Sequence, residues 1–206
     1  MLESGRVRLR PISAKDRDVW RHTRQANASW LGRWDATAPS RSHPQPRSFA
    51  AMVRQMRSEA RAGRQLPFVV EYDGRFVGQV TVSNIVRGSA QFASIGYWVD
   101  QAYAGRGIIP LAVAMAIDHC FGPVGLHLIE VAIRPENTSS LRVVEKLGIH
   151  EVGFAPRFLH IDGAWRDHRI FAITREEVPL GLVRRLETPG LDADSHKGVP
   201  PDPTAC

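Results

Sequence analysis

Lysine is almost missing from this chain: Lys15, Lys146 and Lys197 are the only ones in 206 residues, and the net charge of +6 rests on arginine. The arginines are scattered and form no basic run, so nucleic acid is not expected as a direct ligand, although a basic surface attracts anions in general. Cysteine is scarcer still. Cys120 and Cys206 make no CxxC pair, which excludes a disulfide framework and a cysteine-based zinc site. Long apolar runs are also lacking. The stretch Ile108 to Ile117 is the longest wholly apolar run, and it is about half of a ~20-residue membrane span. The opening MLESGRVRLRP has no apolar core of a secretory signal. These absences lead to the expectation of a cytoplasmic protein with no membrane partner, and the length suits one domain.

What is present is periodicity that switches along the chain. VRLRPI (Val7 to Ile12) alternates as a first strand, and Ser13 with Asp16 reads as a helix start. Helical spacing runs through Val19 and Trp20 and fades near Asn27. TAPSRSHPQP is a loop, after which Phe49, Met52, Val53 and Met56 step along a second helix up to Gly63. Phe68 to Tyr72, Asp73-Gly74 and Phe76 to Val86 read as a hairpin, with a third strand at Phe92 to Val99. A helix beginning near Arg106 runs to Phe121, His127 to Ile133 is a buried strand, and a short helix opens at Asn137 and closes at Gly148. Two strands flank Asp162-Gly163. The tail from Thr188 is rich in Pro, Gly and Asp, and disorder is expected there. This order predicts an α+β fold, one mixed and mostly antiparallel sheet with helices on both faces.

YAGRGII (Tyr103 to Ile109) joins a strand to an apolar helix. The first N–H groups of a helix lack internal acceptors and carry partial positive charge. Gly105 and Gly107 leave those groups open to a close-lying anion, and Arg106 adds a full charge, so phosphate oxygens can seat there. No Walker run exists, and Pro110 occupies the third glycine position of a dinucleotide fingerprint. A plain tight turn remains the alternative on this loop alone.

A second motif narrows the choice. IGYWVDQAYAGRGI, RPENTSSLRVVEKLGI and HIDGAWRDHRIFAI, in that order over about residues 5–176, resemble the GCN5-related N-acetyltransferases (GNAT). Within them the chain is similar to the RimJ/RimL branch, which acetylates protein N-termini, typically of ribosomal proteins. The resemblance implies a GNAT domain over residues 1–176 and a C-terminal extension, 177–206. It implies a sheet that splays between the strand of Ile95 to Val99 and that of His127 to Ile133, admitting the pantetheine arm of acetyl-CoA. Trp98 and Val99 would pair with that arm, and Gly105, Arg106, Gly107 and Ile108 would hold the diphosphate. Ala102 departs from the Gln or Arg that often stands there. Asn137 is either a pantetheine contact, a helix cap or both. Ser140 is either the donor that protonates the departing thiolate or a capping serine.

The base is the weak point of that resemblance. Relatives often carry a glutamate where this chain has Ser94, and a serine hydroxyl is not a base at neutral pH. An α-amine, with a pKa of about 7.7–8.0 against about 10.4 for lysine, needs less help to deprotonate. Asp167 is the carboxylate offered for that role, with Glu71, His160 and His168 behind it. Trp30, Trp34 and Tyr97 are candidates for the acceptor wall. His160, Asp162, Asp167 and His168 straddle a hairpin turn, and no metal site is expected of them.

The expected activity is therefore transfer of acetyl from acetyl-CoA to a protein N-terminal amine, that of a ribosomal protein, by a monomer or homodimer. Acetylation of a small amine, such as an aminoglycoside or polyamine, and a non-catalytic acetyl-CoA-binding regulator are the alternatives.

Overall fold

The computed structural model describes residues 1–39 and 48–188. The strands are β1 (Leu2–Ser4), β2 (Val7–Pro11), β3 (Leu66–Tyr72), β4 (Arg75–Val86), β5 (Phe92–Val99), β6 (Leu128–Ile133), β7 (His150–Ile161) and β8 (Ala164–Thr174). The helices are α1 (Arg17–Ala26), α2 (Ala28–Leu31), α3 (Phe49–Arg61), α4 (Ile108–Phe121), α5 (Thr138–Leu147) and α6 (Leu182–Glu187). The strands form one sheet in the order β1-β2-β3-β4-β5-β6-β8-β7. All neighbours are antiparallel except β5 and β6, which run parallel.

Strand alternation sorts the side chains onto two faces. Val80, Val82, Ala93, Ile95, Ile129, Val131, Ile133, Phe171 and Ile173 are buried on one face with α4, α5 and α6. The other face carries a smaller cluster of Ile12, Phe49, Val53 and Val69, with Trp20 and Phe76 against it. α4 is apolar all round because it lies between the sheet and the other two helices of its face. The expected α+β layering is observed, and the helices and strands that the sequence pattern predicts lie close to their expected positions. The part of the polar loop from Ser40 to Arg47, and the tail beyond Thr188, lie outside the described residues.

The sequence pattern predicts none of β1, α2 and α6. α6 is short, but Leu182 is fully buried and Val178 nearly so in the main core. Its first amides, of Leu182 and Val183, donate to the Asp118 carboxylate of α4 at 2.7 and 3.0 Å. Arg185 donates to the carbonyls of Leu147 and Glu177 at 3.3 and 2.8 Å. The segment after β8 is thus fastened to α4 and α5 by an anion at a helix start and a guanidinium at a helix end. No helix among the described residues is long and apolar enough to cross a membrane.

Leu182→Ala should lower stability by about 2–5 kcal/mol through a cavity under α4, and Asp118→Ala by about 1 kcal/mol through loss of the cap. Urea unfolding checks both.

Candidate active site

The sheet comes apart at its one parallel pair. β5 and β6 are in register only at Phe92↔Leu128, Ala93↔Ile129 and Ser94↔Glu130. Beyond that rung, Ile95 to Val99 remain paired to β4, and Val131 to Ile133 remain paired to β8. The facing edges diverge, so the peptide groups of β5 from Ile95 onward have no strand partner on the β6 side. An extended ligand can pair with that edge as a strand would. Gly78 contributes from the far side: a Cβ there would lie 2.3 Å from the Trp98 carbonyl oxygen, so only glycine lets β5 approach β4 this closely.

β5 leads through a 3-10 turn, Gln101–Tyr103, into the glycine loop. Gly105 and Gly107 have φ of 76° and 77°, and a Cβ on either would point into open space. Gly107 is the N-cap of α4, without a side-chain cap, and the helix begins at Ile108, two residues later than the sequence suggested. Pro110 has no N–H, so the uncapped donors of the first turn are those of Ile108 and Ile109 with the preceding loop amides. Arg106 is exposed and lies over the Tyr103 ring at 5.2 Å. Asn27, buried at the end of α1, anchors this loop. Its Oδ1 accepts from Gln101 N at 2.8 Å, and its Nδ2 donates to Asp100 Oδ1 at 3.1 Å and to Thr23 O at 2.9 Å.

Across the gap, Asn137 caps α5 by accepting from Ser140 N at 3.1 Å. The Ser140 carbonyl accepts from the Tyr97 hydroxyl at 3.4 Å. Burial raises the Tyr97 phenol well above its ordinary range despite that bond, so it stays protonated. Tyr97 therefore lies on the α5 face of the sheet and bridges the fork from below, away from the two tryptophans it was grouped with in the sequence. Trp98 alternates to the opposite face, where it meets Phe76 at 5.8 Å and Arg24 at 5.3 Å. Trp34 carries Arg33 at 4.6 Å and Arg134 at 5.2 Å, and Arg134 also donates to Arg33 O at 2.8 Å. Trp30 is half-buried on α2.

The titratable candidates are dispersed. Asp167 accepts from Arg157 N at 2.7 Å, and Arg157 has φ of 48° within the irregular part of β7. That bond holds a backbone kink on an exposed hairpin, on the sheet face opposite Ser94. Glu71 is paired with Arg10 at 2.7 Å, and Arg10 also holds Asp16 at 2.7 Å, at the other end of the sheet. His160 is bonded to Thr37 at 2.7 Å. His168 is buried against Phe158 with Nδ1 3.0 Å from Arg166 O, and burial lowers its pKa, so it is neutral at pH 7. Ser94 lies at the fork's last rung, beside a residue the sequence reading passed over, Glu130. The described residues contain no group of three or more His, Cys, Asp or Glu able to hold a metal.

An edge opened in a parallel pair, an uncapped glycine-rich helix start at its end and a capped helix across the gap define an acyl-carrier site of the acetyltransferase type. The sequence agrees: the family description "Acetyltransferase (GNAT) domain" matches residues 6–150, and the chain belongs to that family. It is 43% identical over 101 residues to "Probable N-acetyltransferase YjcK" of Bacillus subtilis (strain 168), a match covering 49% of this chain and 56% of that protein. It is 30% identical over 163 residues to "[Ribosomal protein uS5]-alanine N-acetyltransferase" of Escherichia coli (strain K12), covering 77% and 84% of the two. The solved structure "Mycobacterium smegmatis RimJ in complex with CoA-disulfide" superposes with a TM-score of 0.82 at 43% identity, over 88% of each chain.

Gly107→Val should weaken CoA binding at least about tenfold, because a β-branched residue is strained at this φ and its side chain enters the phosphate seat. Calorimetric titration with CoA measures the change.

Proposed function

We propose that this chain transfers the acetyl group of acetyl-CoA to the N-terminal α-amine of a protein, that of a ribosomal protein, by direct attack within a ternary complex. The observation that carries this reading is the loss of pairing between β5 and β6 after Ser94↔Glu130, with the uncapped start of α4 at the outer end of the open edge. The likeness to the uS5-alanine acetyltransferase and to RimJ supports the choice of acceptor.

The diphosphate of acetyl-CoA is held by the amides of Gly105 to Ile108 with Arg106, and its pantetheine arm lies along Trp98 and Val99 toward Asn137. An amide of that β5 edge donates to the thioester carbonyl and steadies the oxyanion that forms there. The neutral amine attacks that carbonyl, the N–C bond forms, the C–S bond breaks, and the electron pair leaves on sulfur. Ser140, whose hydroxyl is unengaged among the described residues, donates a proton to the departing thiolate, and the N–H proton released as the amide forms returns through water to Ser140. Trp30 and Trp34 form the wall that receives the acceptor's first residues. The catalytic domain is residues 1–176, and the site of action is the cytoplasm.

An acetyltransferase for polycations needs several acids around the acceptor. On the open face of β5 and β6 the strands contribute one, Glu130, which favours a singly charged amine.

Thiol release from acetyl-CoA should occur with peptides that begin with alanine or serine and not with Nα-blocked lysine peptides. Turnover restricted to polyamines, or CoA binding without turnover on any amine, would replace this reading. Ser140→Ala should lower kcat about tenfold or more while leaving CoA affinity within twofold, read by stopped-time thiol assay and calorimetry.

A further inference from the structure

The arginines are dispersed along the sequence, but the fold gathers several of them onto one surface. α1, with the 3-10 turn Ala14–Asp16 ahead of it, and α3 cover the sheet face away from α4. Trp20 of α1 meets Phe49 of α3 at 5.4 Å, over the cluster of Ile12, Val53 and Val69. The apolar residues of both helices turn inward at helical spacing, so the residues between them form the outer surface. On α3 these include Arg54, Arg57 and Arg61, which recur at i, i+3 and i+7 as one exposed stripe, ~10 Å long at ~1.5 Å rise per residue. On α1 they include Arg17 and Arg21, one turn apart, with Lys15 just ahead of them, all exposed. Arg57 donates to Ile12 O at 3.3 Å, close to the turn that carries Lys15, which brings the α3 stripe to the start of the α1 stripe.

The acids of this layer do not balance the stripes. Asp16 is turned inward onto Arg10, Glu59 is held by Arg64 at 2.6 Å, and Asp18 meets only its neighbour Arg17, at 3.0 Å. Arg24 is engaged by Asp35. Lys15, Arg21, Arg54, Arg57 and Arg61 have no carboxylate partner among the described residues. Like charges three and four residues apart on a helix repel and cost it stability. The adjoining sheet edge is built otherwise: Arg6 is paired with Asp73, Arg8 with Glu3, and Arg10 with Asp16 and Glu71. The chain neutralises the arginines of β2 and leaves those of α1 and α3 to an anion from outside.

We propose that the surface of α1 and α3 docks on duplex RNA through its phosphates. The unbalanced charge calls for an anion; the choice of RNA rests on the ribosomal acceptor proposed above, since a ribosomal protein works bound to RNA. Guanidinium groups take phosphate oxygens in a two-point fork. No exposed aromatic ring stands on either helix to stack on an unpaired base, so a double-stranded backbone fits better than a single strand. The large apolar side chain exposed there is Val19, too little to enter a lipid layer, which sets a membrane surface aside. α1 leads through Asn27 to α2 and the segment of Trp30 and Trp34, the wall proposed for the acceptor. RNA held on α1 and α3 therefore brings the protein bound to it beside that wall, and the amine meets the site at a raised effective concentration.

The test uses the full chain and a labelled RNA hairpin of about 16 base pairs, followed by fluorescence anisotropy at rising KCl. At about 50 mM KCl binding should be micromolar, with log K falling against log salt at a slope of about −3 to −5. Arg21→Glu combined with Arg54→Glu and Arg61→Glu should weaken binding at least about tenfold and flatten that slope, without lowering the melting temperature or the turnover of a free alanine-starting peptide. Arg75→Glu combined with Arg142→Glu and Arg184→Glu makes the same change in net charge away from α1 and α3, and should bind within about threefold of the unmodified chain. Coupling the peptide to the duplex should lower its KM at least about fivefold, a gain that the first triple variant loses. Equal losses in the two triple variants, no binding by the unmodified chain at the lower salt, or an equal KM for free and coupled peptide would overturn the proposal. So would tighter binding to polyglutamate, to phosphatidylserine vesicles or to a single strand of the same length. Acetylation without RNA binding removes this proposal alone; RNA binding by a chain that acetylates no amine keeps the surface and removes the acetyl-transfer reading.

Discussion

The rest of the site depends on a missing set of hydrogen bonds. Parallel strands normally stay paired along their length, because an open strand edge leaves peptide groups without partners. Here β5 and β6 share a register for only a few residues and then part. The parting is held open from both sides. β5 stays fastened to β4, closely enough that Gly78 has no room for a side chain, while β6 stays fastened to β8 through Ile133↔Arg169. The amides released from the ladder are what a thioester carrier, itself rich in amides, can satisfy. The helix start of α4 repeats that logic at the outer end, with backbone N–H groups that need an external acceptor.

Much of this was legible in the sequence, for local reasons. The period change from helix to strand at Phe68, the Asp73-Gly74 and Asp162-Gly163 turns, and Gly148 at the end of α5 are short-range signals, and they placed the corresponding elements. The GRG loop was visible because glycine at positive φ is a local requirement. Its residues form an exposed turn before α4, although the helix starts at Ile108 and not at Arg106. α6 was not legible, because its helix is short, and its stability comes from Asp118 and from burial of Leu182, both distant in sequence.

The candidate catalytic residues were the least legible. The residues whose type suggests chemistry are Asp167, His160, His168 and Glu71. Each has a structural partner that sequence spacing does not reveal. Tyr97 looked like a neighbour of the tryptophans, but alternation along β5 puts it on the α5 side with its hydroxyl on Ser140. Glu130 was hidden in an apolar strand, where an alternating acid reads as an ordinary solvent-facing residue. One local signal pointed to it: in HLIEVAI a single charge interrupts a strand that otherwise reads as buried. Recognising its place required the register to Ser94, which only the fold supplies.

The buried amide of Asn27 joins the end of α1 to Asp100 and Gln101. The turn that precedes the GRG loop is thereby pinned to the end of α1 before any ligand arrives. Association then loses little conformational entropy in ordering that turn, and more of the contact energy survives as affinity. The same amide makes α1 and the loop one mechanical body. Under the proposed function, a displacement of α1 therefore carries the turn before the GRG loop with it, and the two keep a fixed relative orientation.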